Sequence, residues 1–211
     1  MTNKERASLA VAALKKEYPD SICSLTYHDP LQLLISTRLA AQCTDLRVNM
    51  VTPKLFSDFP DVCAFADADI SAVEEDIRTC GLYKTKARDI IAMCQMLRDE
   101  FGGKVPDTLE ELTRLPGIGR KTANLVLGDI FHKPAVVVDT HCIRLTRRLG
   151  FHNLKDPYKI EMILKDALDP NDFCHRLVLH GRAVCDARKP KCEQCCMKEF
   201  CETYLENEKN S

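Results

Sequence analysis

The chain has 211 residues, 45 % of them hydrophobic, which is enough for one sizeable core or two modest ones. Thirty Lys+Arg against 31 Asp+Glu leave a formal net charge of -1, so any nucleic-acid site must be a local basic patch on a near-neutral surface. The apolar runs fall far short of the ~18 residues of a membrane span, and MTNKERASLA lacks the apolar stretch and cleavage site of a secretory leader; a soluble, cytoplasmic protein without membrane contact is expected.

Almost every segment reads as helix. Thr2 and Glu5 have capping-box spacing and open a helix expected to run to about Tyr18, before Pro19. Within residues 85–101, Ala87, Ile90, Ile91, Cys94, Leu97 and Phe101 fall on one helical stripe, and Ile160, Ile163, Leu164, Ala167 and Leu168 repeat the pattern within 158–168. Pro30, Pro60, Pro106, Pro116, Pro134, Pro157 and Pro170 lie between such stretches and punctuate them. Ala135–Val138 alone is strand-like; with no second strand to pair with, it reads as a packed approach to the next helix. The polar tail after Tyr204, LENEKNS, is expected to be disordered. The fold class is all-α.

Residues 115–124, LPGIGRKTAN, lie between a short helical stretch at Thr108–Arg114 and a helical stripe of Ala123, Val126, Leu127 and Ile130. This reads as a helix–hairpin–helix. Gly117 and Gly119 permit positive φ and close backbone approach, and the N-terminus of the following helix adds its positive dipole end, so an anion such as a DNA phosphate suits the turn. An ordinary αα turn is the bland alternative. Lys121 sits in the first turn, where a cation opposes the helix dipole; it is either a solvated lysine or a phosphate contact or amine nucleophile. Asp139 follows the apolar run and is both an N-cap and, if it faces a cleft, a fixed carboxylate. Seven Lys+Arg against three acids over 111–150, and Arg188, Lys189 and Lys191 opposed only by Asp186, supply the local basic patches that the neutral total demands.

Of 12 cysteines, seven (Cys23, Cys43, Cys63, Cys80, Cys94, Cys142 and Cys174) are scattered and read mostly as small buried hydrophobes in helical patterns. The others crowd into Cys185-x6-Cys192-x2-Cys195-x5-Cys201, with Cys196 adjacent and read as a non-ligand. Four thiolates at this spacing suit a zinc ion or an iron–sulfur cluster, and spacing alone leaves both open.

Together AAQCTD (40–45), GLYKTKA (81–87), LPGIGRKTAN (115–124), VDTHCIR (138–144), LHGR (179–182) and the cysteine spacing resemble the endonuclease III family, helix–hairpin–helix DNA glycosylases with a C-terminal 4Fe–4S cluster. The resemblance implies two helical domains flanking a DNA-binding cleft: a six-helix domain at 23–133 with the helix–hairpin–helix at about 108–131, and an iron–sulfur domain of 1–22 plus 134–211. It implies that Lys121 is a nucleophile facing Asp139 across the cleft, and that the metal is a 4Fe–4S cluster held by Cys185, Cys192, Cys195 and Cys201. The implied activity is bifunctional: flipping oxidised pyrimidines out of double-stranded DNA, cleaving the glycosidic bond through a lysine Schiff base, and nicking abasic sites by β-elimination. For the amine to attack, it must be buried beside the hairpin. Gln42 and Leu82 match gap-filling and wedge positions; Gly117, Gly119, Arg120, Thr140, His141, Arg144, Arg188 and Lys191 are expected DNA contacts. Ser36-Thr37-Arg38-Leu39 carries no carboxylate where related adenine glycosylases carry a catalytic glutamate, and the chain leaves no room after the cluster for their extra recognition domain. The protein is expected to be a monomer, nucleoid-associated if bacterial. The alternatives are a non-enzymatic, metal-stabilised DNA-binding module and a monofunctional glycosylase that uses water.

Overall fold

A computed structural model describes residues 1–21, 23–168 and 173–209; Pro170 lies outside them. The described residues contain helices and no strand, and no helix among them is long and apolar enough to cross a membrane. The chain divides into two compact units, residues 23–131 and residues 1–22 with 132–211.

The first helix, α1 (Asn3–Glu17), starts on the capping box that its sequence announces: the Thr2 hydroxyl accepts from Glu5 N and the Glu5 carboxylate accepts from Thr2 N. Its small buried face, Ala7 and Ala10 with Leu14, joins the core of the second unit.

Residues 23–131 carry α2 (Pro30–Ala40), α3 (Asp45–Asp58), α4 (Val62–Ala66), α5 (Ile70–Asp76), α6 (Tyr83–Phe101), α7 (Leu109–Arg114) and α8 (Arg120–Asp129). The side chains of Asp29, Thr44, Asp61, Asp69 and Thr108 each accept a backbone N–H in the first turn, so the chain writes these helix starts as short polar acceptors. α2 is the central rod: Leu33, Leu34, Ile35 and Leu39 are wholly buried. α6 closes on Gly102 in the left-handed conformation, φ 60°. One proline departs from the punctuating pattern. Pro53 lies inside α3, where it removes one helical hydrogen bond.

The other unit adds α9 (Thr140–Leu149), α10 (Pro157–Ala167), α11 (Cys174–Ala183), two 3-10 turns at Cys192–Gln194 and Lys198–Phe200, and α12 (Glu202–Lys209). Val136, Val138, Cys142, Leu145, Leu149, Ile160, Leu164, Phe173 and Leu177 form its core with α1. The Ala135–Val138 run is irregular backbone packed into that core, and Val137 N donates to Cys174 Sγ at 3.3 Å.

One expectation is corrected. The tail after Tyr204 is helical to Lys209, because anchors outside the tail's own composition hold it. Glu202 pairs with the buried Arg6, the Tyr204 hydroxyl donates to Glu193 Oε1 at 3.0 Å, and Lys198 lies over the Tyr204 ring. Most of the scattered cysteines are buried, as their surroundings in the sequence suggest: Cys80, Cys94, Cys142 and Cys174 are, while Cys63 is exposed and Cys23 and Cys43 are half-buried outside any helix.

Candidate functional site

The hairpin is built from a sharp division of labour. Ile118 turns inward and is buried, its N–H donating to Leu115 O at 3.1 Å, while Gly117 and Gly119 stay at the surface. Gly117 has φ 76°, a conformation costly for any residue with a Cβ. A Cβ there would stand 2.5 Å from Arg38 Nε and 3.0 Å from Asp89 Oδ2. Gly119 caps α8 with no side-chain hydrogen bond, so the first-turn N–H groups carry no capping side chain. Such an end presents donors and a positive dipole to an anion. Arg120 is half-buried beside it. Lys121, on the next position, is exposed. Burial of its amine beside the hairpin, which the motif implies, is therefore not found in the chain by itself: in the first turn of α8, ahead of the buried Ala123 and Asn124, the residue is exposed.

Gln42 and Leu82 share a rare backbone state, with φ 55° and φ 60°. Bulky L-residues rarely hold it, and each such residue stores roughly 1 kcal/mol or more. Both are at the surface, Leu82 with 56 % of its area exposed. Their loops are neighbours: a Cβ on Gly81 would meet Gln42 O at 3.5 Å. Beneath them Lys86 is fully buried and donates from Nζ to Leu39 O at 2.7 Å, tying the start of α6 to the end of α2. Desolvation lowers the Lys86 amine from its ordinary range, and burial, reinforced by neighbouring Cys43, raises the Cys80 thiol to about 11.

In the other unit Asp139 caps α9, accepting from Cys142 N at 2.7 Å, and is half-exposed; Thr140 beside it is exposed. His141 and Arg144 are committed internally: the Arg144 guanidinium meets His141 Nδ1 at 3.0 Å and donates to Gly181 O at 3.1 Å and Cys185 O at 3.0 Å. Arg188 and Lys191 are exposed on the loop after Cys185. That loop is folded around Asp186, whose carboxylate accepts from Arg188 N at 2.8 Å, and Lys191 Nζ donates to Ala183 O at 3.1 Å.

Cys185, Cys192, Cys195 and Cys201 line one cavity of about 230 Å³. Among the described residues no three His, Cys, Asp or Glu side chains draw close enough to grip a single ion; the four thiols ring a space instead. A four-thiolate zinc site draws its sulfurs to about 2.3 Å from the ion. This cavity is several times the ~30 Å³ share of one water, so its size, and not the all-thiol donor set that zinc shares, is what suits a multi-iron sulfide centre. Donors already face the sulfurs: Arg148 NH1 reaches Cys185 Sγ at 3.2 Å and Met197 N reaches Cys195 Sγ at 3.4 Å. The His180 ring lies between Tyr18 and Cys195, with Nδ1 3.1 Å from the Tyr18 hydroxyl and Nε2 3.2 Å from Cys195 Sγ. Burial pushes the Cys195 thiol up to about 12 and raises that of Cys201; a bound cationic centre reverses that preference and takes them as thiolates. Cys196 is half-buried and does not line the cavity.

Sequence reasoning missed Arg148 and His180 as partners of the sulfurs, and Asp89 with Arg38 as the surface under Gly117. LHGR drew notice as a motif, but nothing local says which atom its histidine faces.

An all-helical chain whose glycine turn opens a helix N-terminus is a helix–hairpin–helix protein, here with a cysteine-lined cavity in its tail. Residues 35–170 match the HhH-GPD superfamily base excision DNA repair protein family, and residues 185–201 match the iron–sulfur binding domain of endonuclease III. Endonuclease III of Synechocystis sp. is 46 % identical over 204 residues, covering 95 % of this chain and 93 % of its own. That of Escherichia coli K12 is 38 % identical over 204 residues, covering 95 % and 96 %. A solved chain described as a trapped endonuclease III–DNA covalent intermediate, estranged-adenine complex, is similar with TM-score 0.89 and 37 % identity, over 99 % of this chain and all of its own. A non-covalent endonuclease III–DNA complex gives TM-score 0.89 at 36 % identity, with the same coverage. The chain belongs to the endonuclease III family of HhH-GPD base excision DNA repair proteins, and its tail is that family's iron–sulfur binding domain.

Proposed function

We propose that the protein is a bifunctional DNA glycosylase and abasic-site lyase acting as a monomer on damaged pyrimidines in double-stranded DNA. Lys121 carries the reading: an exposed amine one residue past a glycine turn with uncapped helix donors, in a chain similar to one trapped covalently on DNA. The hairpin of Gly117 and Gly119, with Arg120, holds the phosphate backbone. Gln42 and Leu82 enter the space a flipped nucleotide leaves, since their stored backbone strain fixes them outward. The substrate itself then desolvates Lys121, which the free chain leaves in water. The neutral amine attacks C1′ as the glycosidic bond breaks and the base departs with the bonding pair, taking up a proton. Opening of the sugar ring gives the Schiff base. Loss of a C2′ proton expels the 3′ phosphate, and water releases the amine. Asp139 stabilises cationic charge at the sugar and accepts the proton that Lys121 gives up.

In this reading residues 23–133 form the hairpin domain, and 1–22 with 134–211 the cluster domain. Cys185, Cys192, Cys195 and Cys201 hold a 4Fe–4S cluster, which supplies structural bracing and no chemistry at the base. Arg188, Lys191 and Thr140 add backbone contacts, and His141 and Arg144, engaged with each other and with Gly181 and Cys185, back that surface and reach the DNA only if those bonds are exchanged.

Borohydride trapping on a duplex with one oxidised pyrimidine tests the proposal. Wild type should give a covalent adduct that Lys121→Ala abolishes while still binding DNA. Base release without any adduct would favour a water-using glycosylase, and binding without either would leave a non-enzymatic module.

A further inference from the structure

Gly117 rests on a charged pair. Arg38, in the last turn of α2, directs both Nε and NH2 at the same oxygen of Asp89 on α6, at 3.0 and 2.6 Å. The two side chains are only 12 % and 19 % exposed. A Cβ on Gly117 would stand 2.5 Å from Arg38 Nε, 2.8 Å from Arg38 Cδ and 3.0 Å from Asp89 Oδ2, so the glycine backbone lies directly against the paired groups. Three elements distant in sequence thus meet at one point: the end of α2, the first half of α6 and the turn before α8.

Stability does not account for such a pair. Largely enclosed ions lose hydration that their attraction barely repays, and well-packed apolar replacements are often neutral or better. Long-range attraction of DNA does not account for it either, since the pair is neutral overall. What a guanidinium held at two of its nitrogens supplies is a flat, fixed surface with little rotational freedom. An aliphatic side chain would fill the same volume without fixing the height of the turn above it.

We propose that Arg38 and Asp89 are positioning residues of the hairpin, fixing Gly117 and the donors that follow it at the spacing a DNA phosphate needs. The proposal rests on the preceding reading of the hairpin as the phosphate-holding element. It predicts an effect on affinity, not on the chemical step.

The test compares wild type, Arg38→Met/Asp89→Leu and Arg38→Lys on a duplex carrying an uncleavable abasic-site analogue, across a salt series. The charge-neutral double variant should melt within a few degrees of wild type and bind about tenfold more weakly. Because the turn offers uncharged backbone donors and neither variant changes the net charge, the slope of log K against log salt should stay at the wild-type value. Its single-turnover cleavage rate on a saturating damaged duplex should stay within about threefold of wild type. Arg38→Lys keeps the charge but not the flat fork, and should show the same loss; it decides the matter if the double variant does not fold. Wild-type affinity in either folded variant would overturn the proposal, as would a cleavage defect at saturation with affinity unchanged. A wild type that fails to bind the analogue would overturn the reading of the hairpin itself, and this proposal with it.

Discussion

Asp139 combines a helix cap with a proposed catalytic carboxylate, and the structure allows the two to be separated. Its carboxylate accepts from Cys142 N at 2.7 Å, with the residue itself in extended conformation ahead of α9. Asp139→Ala removes that acceptor, worth about 1 kcal/mol, and a favourable charge at the helix start, worth roughly 0.5 kcal/mol. At about 2–4 °C per kcal/mol for a chain of this size, the melting midpoint should fall by about 3–6 °C. Asp139→Asn retains an oxygen in the same place and loses only the charge, so its midpoint should fall by about 1–2 °C. Both variants should lose roughly a hundredfold or more in single-turnover base release, the span of a positioned acid or base. Thermal melts of the cluster-loaded protein, paired with gel-based cleavage of an oxidised-pyrimidine duplex, measure the two effects on the same samples. Equal midpoints for the Asn and Ala variants would refute the capping argument. Base release at the wild-type rate by Asp139→Asn would refute the catalytic one.

Gly117→Ala should lower the melting midpoint by several degrees, since it combines about 1–2 kcal/mol of left-handed strain with a contact against Arg38; a melt superimposable on wild type would refute it. Lys86→Met should be neutral or stabilising near neutral pH, because the buried amine keeps one carbonyl partner against its desolvation. The folded value of Lys86 lies below the ordinary 10.5, so the unfolded chain binds the proton more tightly and wild type regains stability as pH climbs through that window. The advantage of Lys86→Met should therefore shrink toward pH 10.5, as urea melts at stepped alkaline pH would show. Cys196→Ser should retain iron, sulfide and visible absorbance on purification, whereas Cys195→Ser should lose them, because only the latter sulfur lines the cavity; a colourless Cys196→Ser protein would mean a different ligand set.

Short-range chemistry is what the residue order alone dictates. The Thr2–Glu5 box and the glycine turn are each complete within a few residues, and the cysteine spacing within the 17 residues 185–201, because a cap, a positive-φ turn and a chelating loop are local objects. Helical stripes made the all-α class legible for the same reason. The tertiary structure alone decided matters that depend on residues far apart in the chain. Arg38 meets Asp89 across 51 positions to form the surface under Gly117. Arg6 holds Glu202 across 196 and keeps a polar tail helical, against its composition. The left-handed backbone at Gln42 and Leu82 has no local signature, since side chains there disfavour it and only surrounding packing sustains it. The exposure of Lys121 was likewise undecided by the motif that contains it. A first-turn lysine is surface or buried according to what other elements cover it, and that information lies outside its own helix.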